Sequence, residues 1–153
     1  MKIQTKRFGL IRVDAETVIE LPQGLIGCPA LTRFVPVEQG QTGIFRWWQS
    51  LDAAETAFVV VDPLQVVPEY DLAGVETELA DLGLVDPASR RVVVLATISR
   101  PTLEAVTLNL AAPIIVNAVT RQGRQLVQSD VRYRVNTRLE DLVSPKRLLE
   151  LAA

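Results

Sequence analysis

The sequence predicts a mainly β fold, a small antiparallel β-barrel-like single domain with one or two short helices. Two observations carry that prediction. Most apolar runs are four to eight residues long, rich in Val and Ile, and bounded by Gly, Pro, Asp or Asn, the pattern of many short strands. No strict alternation of strand with longer helix appears, which disfavours a doubly wound parallel sheet. The chain has 153 residues, 48% hydrophobic and 22% charged, so one domain can bury a core without a disulfide or metal staple.

Taken in chain order, Gly24-Leu25-Ile26-Gly27 reads as a turn, because it lacks the Lys and Ser/Thr that complete a phosphate-binding loop. The turn is expected to set Leu25 and Ile26 against the core, with Cys28 a small buried hydrophobe. Residues 44–49 form a strand whose alternation puts Phe45 and Trp47 on one face and Trp48, beside Arg46, on the other. Both faces are expected to be covered, one of them by a C-terminal helix; an exposed tryptophan would instead anchor an interface. Residues 57–61 form the next strand.

In residues 71–83, Leu72, Val75, Leu79 and Leu82 recur at helical spacing, Asp71 can cap and Gly83 can stop the helix. Glu76 and Glu78 fall off that stripe. Strand 91–99 is apolar on both faces over 92–96, as a central strand is. Strands 114–120, 125–128 and 131–135 follow, the last with Val131, Tyr133 and Val135 on one face and Arg132 and Arg134 on the other. Leu139, Leu142 and Val143 suit a turn, and Ser144-Pro145 opens a short helix carrying Leu148, Leu149 and Leu151. Residues 1–136 are assigned to the β domain and 137–153 to a helical tail packed on it or extending from it.

Charge is unevenly placed. Residues 51–89 hold nine carboxylates (Asp52, Glu55, Asp62, Glu69, Asp71, Glu76, Glu78, Asp81, Asp86) and no Lys or Arg, in a chain with 16 basic and 18 acidic residues. No folding requirement visible in the sequence explains that block, and its potential attracts a cationic macromolecule. Arg121, Arg124, Arg132, Arg134 and Arg138 make the C-terminal section basic, but a net charge of −2 argues against direct nucleic-acid binding.

Histidine is absent and there is one cysteine, which removes Cys/His metal clusters and Ser-His-Asp catalysis; no cofactor is expected. A carboxylate pair such as Glu69 with Asp71, facing together if that segment is extended, keeps an acidic carbohydrate-active enzyme open as an alternative, and a purely structural β module is another. The start MKIQTKRFG has no long apolar run and no stretch approaches a membrane span, so a cytoplasmic, non-membrane protein is expected.

Spaced motifs over residues 3–133 resemble the flagellar assembly factor FliW family. They are Phe8-Gly9, Leu21-Pro22-Gln23-Gly24-Leu25-Ile26-Gly27, Trp48-Gln49-Ser50-Leu51, Ala57-Phe58-Val59-Val60-Val61-Asp62-Pro63, Glu69-Tyr70 and Asn109-Leu110-Ala111-Ala112-Pro113-Ile114-Ile115-Val116-Asn117. The resemblance implies a non-enzymatic cytoplasmic regulator. It would bind flagellin and antagonise CsrA, a basic translational repressor of flagellin mRNA, so that accumulating flagellin restores repression. Glu69, Asp71, Glu76, Glu78 and Asp81 are then the residues expected to meet CsrA, and Trp48, Asn109 and Asn117 those expected to meet flagellin. Two features depart from the family pattern: Cys28-Pro29-Ala30 stands where relatives often carry an aromatic, and the amphipathic tail could cover part of a partner surface.

Overall fold

The computed structural model describes residues 1–100, 102 and 105–153, excluding the side chain of Thr42. The fold is mainly β and antiparallel, with two short helices. An N-terminal hairpin, β1 (Lys2–Thr5) and β2 (Gly9–Arg12), forms its own two-stranded sheet. The main sheet has nine strands: β3 (Ile19–Glu20), β4 (Arg33–Thr42), β5 (Phe45–Ser50), β6 (Ala57–Val61), β7 (Arg90–Ile98), β8 (Val106–Leu108), β9 (Ile114–Asn117), β10 (Gly123–Gln125) and β11 (Thr137–Arg138).

Its path runs β10-β9-β7-β6-β5-β4-β3, and β7 forks. Arg90 to Val93 pair with β9, while Ala96 to Ile98 pair with β8, which carries β11 on its far side. The sheet curls until its edges meet at one isolated bridge, Glu20 with Gln122. The structure is therefore barrel-like in curvature but is not a closed barrel, because no ladder joins β3 to β10.

Alternation along the strands divides the apolar side chains between two cores. The outer core holds Phe45, Val59, Val61, Val94 and Ile115 and is capped by Val75, Leu79, Leu148 and Leu151. The inner core, inside the curl, holds Ile19, Leu21, Phe34, Trp48, Val60, Ile114 and Val116. Phe45 and Trp47 face the outer core and Trp48 the inner one, so both faces of β5 are covered. Strand β7 is central in the expected way, with Val94 in the outer core and Val93 and Leu95 against the inner one.

Helix α2 (Pro145–Ala152) is capped by the Ser144 hydroxyl, which accepts from the Arg147 N–H. Leu148 and Leu151 turn into the outer core, while Leu149 is exposed. The β4–β5 turn docks on the end of α2: Ile44 donates its N–H to the Leu151 carbonyl at 2.9 Å. Gly43 has φ +54°, and a Cβ there would collide with that carbonyl, so only glycine lets the hairpin approach.

Five sequence expectations fail, in whole or in part. The helix expected over 71–83 is a 3-10 turn at Ala73–Val75 followed by α1 (Glu76–Asp81). Leu82 lies past its end and is 36% exposed, although Leu72, Val75 and Leu79 are buried. Residues 131–135 are a turn, with Val131 and Val135 exposed and only Tyr133 buried; Asp130 accepts the Arg132 N–H on its side chain and the Tyr133 N–H on its carbonyl, which bends the backbone. Residues 126–128 lie outside any strand, and 118–120 are a turn beyond β9. Ile26 and Cys28 are exposed, with Leu25 alone entering the core. Gly24 has φ +70° and its Cβ would overlap the Pro29 backbone, so the loop folds back on itself and turns Ile26 outward.

Candidate functional site

Two surfaces concentrate unsatisfied chemistry, one over the outer core and one over the inner core. The first surrounds α1. Leu79 fixes the orientation of this helix by its burial in the outer core. At about 100° per residue, Glu76 and Glu78 flank Leu79 on opposite sides and Asp81 points away from it. Glu76 and Asp81 are exposed and Glu78 is half-buried. Glu69 lies exposed in the preceding turn.

Asp71 differs from these four. Its Oδ1 accepts the Ala73 N–H at 3.0 Å and its Oδ2 meets the Arg132 guanidinium at 3.1 Å. Arg132 also binds Asp130, whose carboxyl it holds below the ordinary carboxylate range by direct hydrogen bonding. The acidic segment is thus tied to the basic C-terminal section. Beneath it lies a buried network: Tyr70 donates its hydroxyl to the Leu110 carbonyl at 2.7 Å and accepts from Gln128 Nε2 at 3.3 Å, while the Tyr133 hydroxyl accepts the Asp71 N–H at 3.1 Å. The two tyrosine rings pack with centroids 4.5 Å apart. Burial pushes the Tyr70 phenol up to about 12. These contacts pin the middle of the acidic segment, at Tyr70 and Asp71, to residues 110 and 128–133.

The acidic block itself has two populations. Asp62, Asp71 and Asp86 accept the backbone N–H groups of Leu64, Ala73 and Ala88 two residues on, and Asp52 accepts those of Thr32 and Arg33 at the start of β4, so turn formation explains three of the nine carboxylates and a tertiary tie a fourth. Glu55, Glu69, Glu76, Glu78 and Asp81 have no internal partner among the described residues. Glu69 and Asp71 lie outside any strand, so the shared strand face of the enzymatic alternative does not form.

The second surface is the mouth of the curled sheet. A groove of about 430 Å³ has Ile19, Pro36, Trp48, Val93 and Val116 as its apolar floor, with Asn117, Arg91 and Arg121 among the residues on its rim. Trp48 is only 7% exposed and packs on Phe34 with centroids 6.1 Å apart. Asn117 Oδ1 accepts the N–H groups of Val119 and Thr120 at 2.8 and 2.9 Å, shaping the turn that follows β9. Asn109 makes the analogous bond to Ala112 at 3.1 Å. The groove thus gathers Trp48 and Asn117 but not Asn109.

Sequence reasoning missed Arg91 and Arg121 at this rim. Arg121 has φ +59°, the one non-glycine in the left-handed region among the described residues. No sequence signal near Arg121 announces that conformation, and its partner at the rim lies thirty positions away.

The profile of a family described as FliW protein matches residues 2–139. The flagellar assembly factor FliW of Leptospira biflexa serovar Patoc is 30% identical over 148 residues, covering 94% of this chain and 97% of the relative. That of Syntrophus aciditrophicus is 35% identical over 136 residues, covering 88% and 85%. A crystal structure of the flagellar assembly factor FliW superposes with a TM-score of 0.79 at 27% identity, covering 91% of this chain and 96% of that one. No helix among the described residues is long and apolar enough to cross a membrane.

Proposed function

The chain belongs to the FliW family of flagellar assembly factors, and from that premise we propose that it works without catalysis in the cytoplasm, by holding CsrA on one surface and flagellin on another. CsrA, basic because it binds RNA, meets Glu69, Asp71, Glu76, Glu78 and Asp81. Flagellin enters the groove lined by Trp48 and Asn117, with Asn109 setting the loop that leads into β9. Flagellin in excess occupies the factor, releases CsrA and restores repression of flagellin mRNA. The factor itself touches no nucleic acid.

The observation that supports this reading most is that four of these five acids, Glu69, Glu76, Glu78 and Asp81, have no internal partner among the described residues, since carboxylates that hold no turn are free to meet a cation. The acidic surface lies over the outer core and the groove opens on the inner one, two distinct sites of the kind that coupling of two partners requires.

Calorimetry with both partners tests it. Reversing Glu76 and Glu78 to lysine should weaken and slow CsrA binding, and added salt should weaken the wild-type complex, because exposed charge is screened beyond about 8–10 Å. Flagellin binding should change less. Equal CsrA affinity for wild type and the double variant across salt would move the CsrA site elsewhere.

A further inference from the structure

We propose that Arg91 and Arg121 form an anion clamp on the rim of the inner-core groove, so that the groove selects a protein segment carrying a carboxylate beside a bulky apolar side chain. The inference deepens, and rests on, the reading that flagellin occupies this groove.

Three observations converge on it. The floor is apolar and no lining residue is Asp or Glu, whereas two are arginines. Among the described residues, Arg33, Arg132, Arg138 and Arg147 stand in ion pairs, but Arg91 and Arg121 meet no carboxylate. Among the described residues, the one polar contact of the Arg91 side chain is Nη1 to the Arg90 carbonyl at 3.3 Å. A guanidinium fork without an internal acid beside an apolar floor is complementary to an incoming carboxylate.

The third observation is backbone geometry. The left-handed conformation of Arg121 is held from three directions: Asn117 caps the turn, the Arg121 N–H reaches the Asn117 carbonyl at 2.9 Å, and the Arg121 carbonyl accepts the Glu20 N–H at 3.0 Å. Glycine fits such a position without strain, so arginine there costs conformational energy. Its side chain serves the rim. A groove of about 430 Å³ accommodates one or two apolar side chains rather than a folded element, and the aliphatic stems of both arginines extend the apolar wall toward the charge.

The test has two arms on the full chain. In the first, the nitrogen-15-labelled protein is titrated with 4-phenylbutyrate and with its neutral amide, 4-phenylbutanamide. The carboxylate should shift the backbone amides of Arg91 and residues 117–121 and bind about fivefold more tightly than the amide, the scale of a partly exposed ion pair. In the second arm, flagellin monomer is titrated into wild type, Arg91→Gln and Arg121→Gly. Each variant should lose about fivefold in affinity and show a flatter salt dependence, with its denaturation midpoint unreduced. Equal binding of acid and amide, or no shift with either, overturns the clamp, as do variants that bind flagellin like wild type. If acid is preferred over amide while flagellin does not bind wild type, the clamp stands and the assignment of flagellin to the groove fails.

Discussion

Replacing Tyr70 by phenylalanine removes one oxygen from the network beneath the acidic surface and leaves the ring in place. The hydroxyl donates to the Leu110 carbonyl at 2.7 Å and accepts from Gln128 Nε2 at 3.3 Å. The variant therefore strands a buried carbonyl and weakens the setting of Gln128, whose Oε1 already has no partner. A buried polar group left unpaired costs about 1–3 kcal/mol. At roughly 2–4 °C per kcal/mol for a domain of this size, Tm should fall by roughly 2–12 °C. The pH dependence supplies an independent sign. With its pKa raised to about 12 in the folded state from about 10 unfolded, Tyr70 contributes fully below pH 10, and that contribution is lost as pH rises from 10 to 12. Urea unfolding at neutral and alkaline pH should show wild type losing up to about 2–3 kcal/mol more than Tyr70→Phe across that window. Identical alkaline slopes, or an unchanged neutral midpoint, would show that the phenol is hydrated and that the network does not pin the acidic segment.

Leu79→Ala should cost about 2–5 kcal/mol, because Leu79 is 4% exposed in the outer core; Leu82→Ala, one turn along and exposed, should change stability by less than about 0.5 kcal/mol, and urea midpoints compare the two. Arg121→Gly should gain about 0.5–1 kcal/mol, the left-handed strain relieved less the added freedom of the unfolded chain; a lower thermal midpoint would refute the strain. At low pH, Asp52 and Asp130 both matter. Burial alone would raise Asp52, but the N–H groups of Thr32 and Arg33 and the Arg33 charge outweigh it; hydrogen bonding to Arg132 lowers Asp130. Depressed carboxyls stabilise above about pH 4 and lose that contribution as pH falls through their folded values, so Asp52→Asn should flatten the acid limb of stability against pH.

Where local pattern and tertiary role agree, the sequence was legible. Strand β6 occupies 57–61 as its apolar run predicts, and Ser144-Pro145 opens α2 as a cap followed by proline should. Strand β4 was not foreseen, because Pro36 and Gly40 read as breakers. Pro36 is tolerated since β3 pairs only with Phe34 and Arg33, leaving no ladder on that side for the missing N–H. Gly40, at φ +79°, sits where the register with β5 shifts. Val131-Arg132-Tyr133-Arg134-Val135 misled for the converse reason: period-two alternation marks two faces but not whether either is buried, and here Asp130 captures the backbone first. Of the groove, Trp48 and Asn117 carried a motif signal, whereas Arg91 and Arg121 reach the same rim only because β7 pairs with β9, Arg91 opposite Val116.

The single bridge between Glu20 and Gln122 gives that curl a seam, and the groove straddles it, with Ile19 on one bank and Val116, Asn117 and Arg121 on the other. A seam held by one bridge and the Ile26 N–H bond to the Gln125 side chain opens at lower free energy than a full ladder. Anything that grips both banks binds the shut form in preference to the open one, so occupancy and closure are linked by mass action. The Glu20 amide, donated across the seam to Arg121 at 3.0 Å, becomes the reporter of that linkage: its exchange with deuterated solvent should slow in proportion to the fraction of protein occupied.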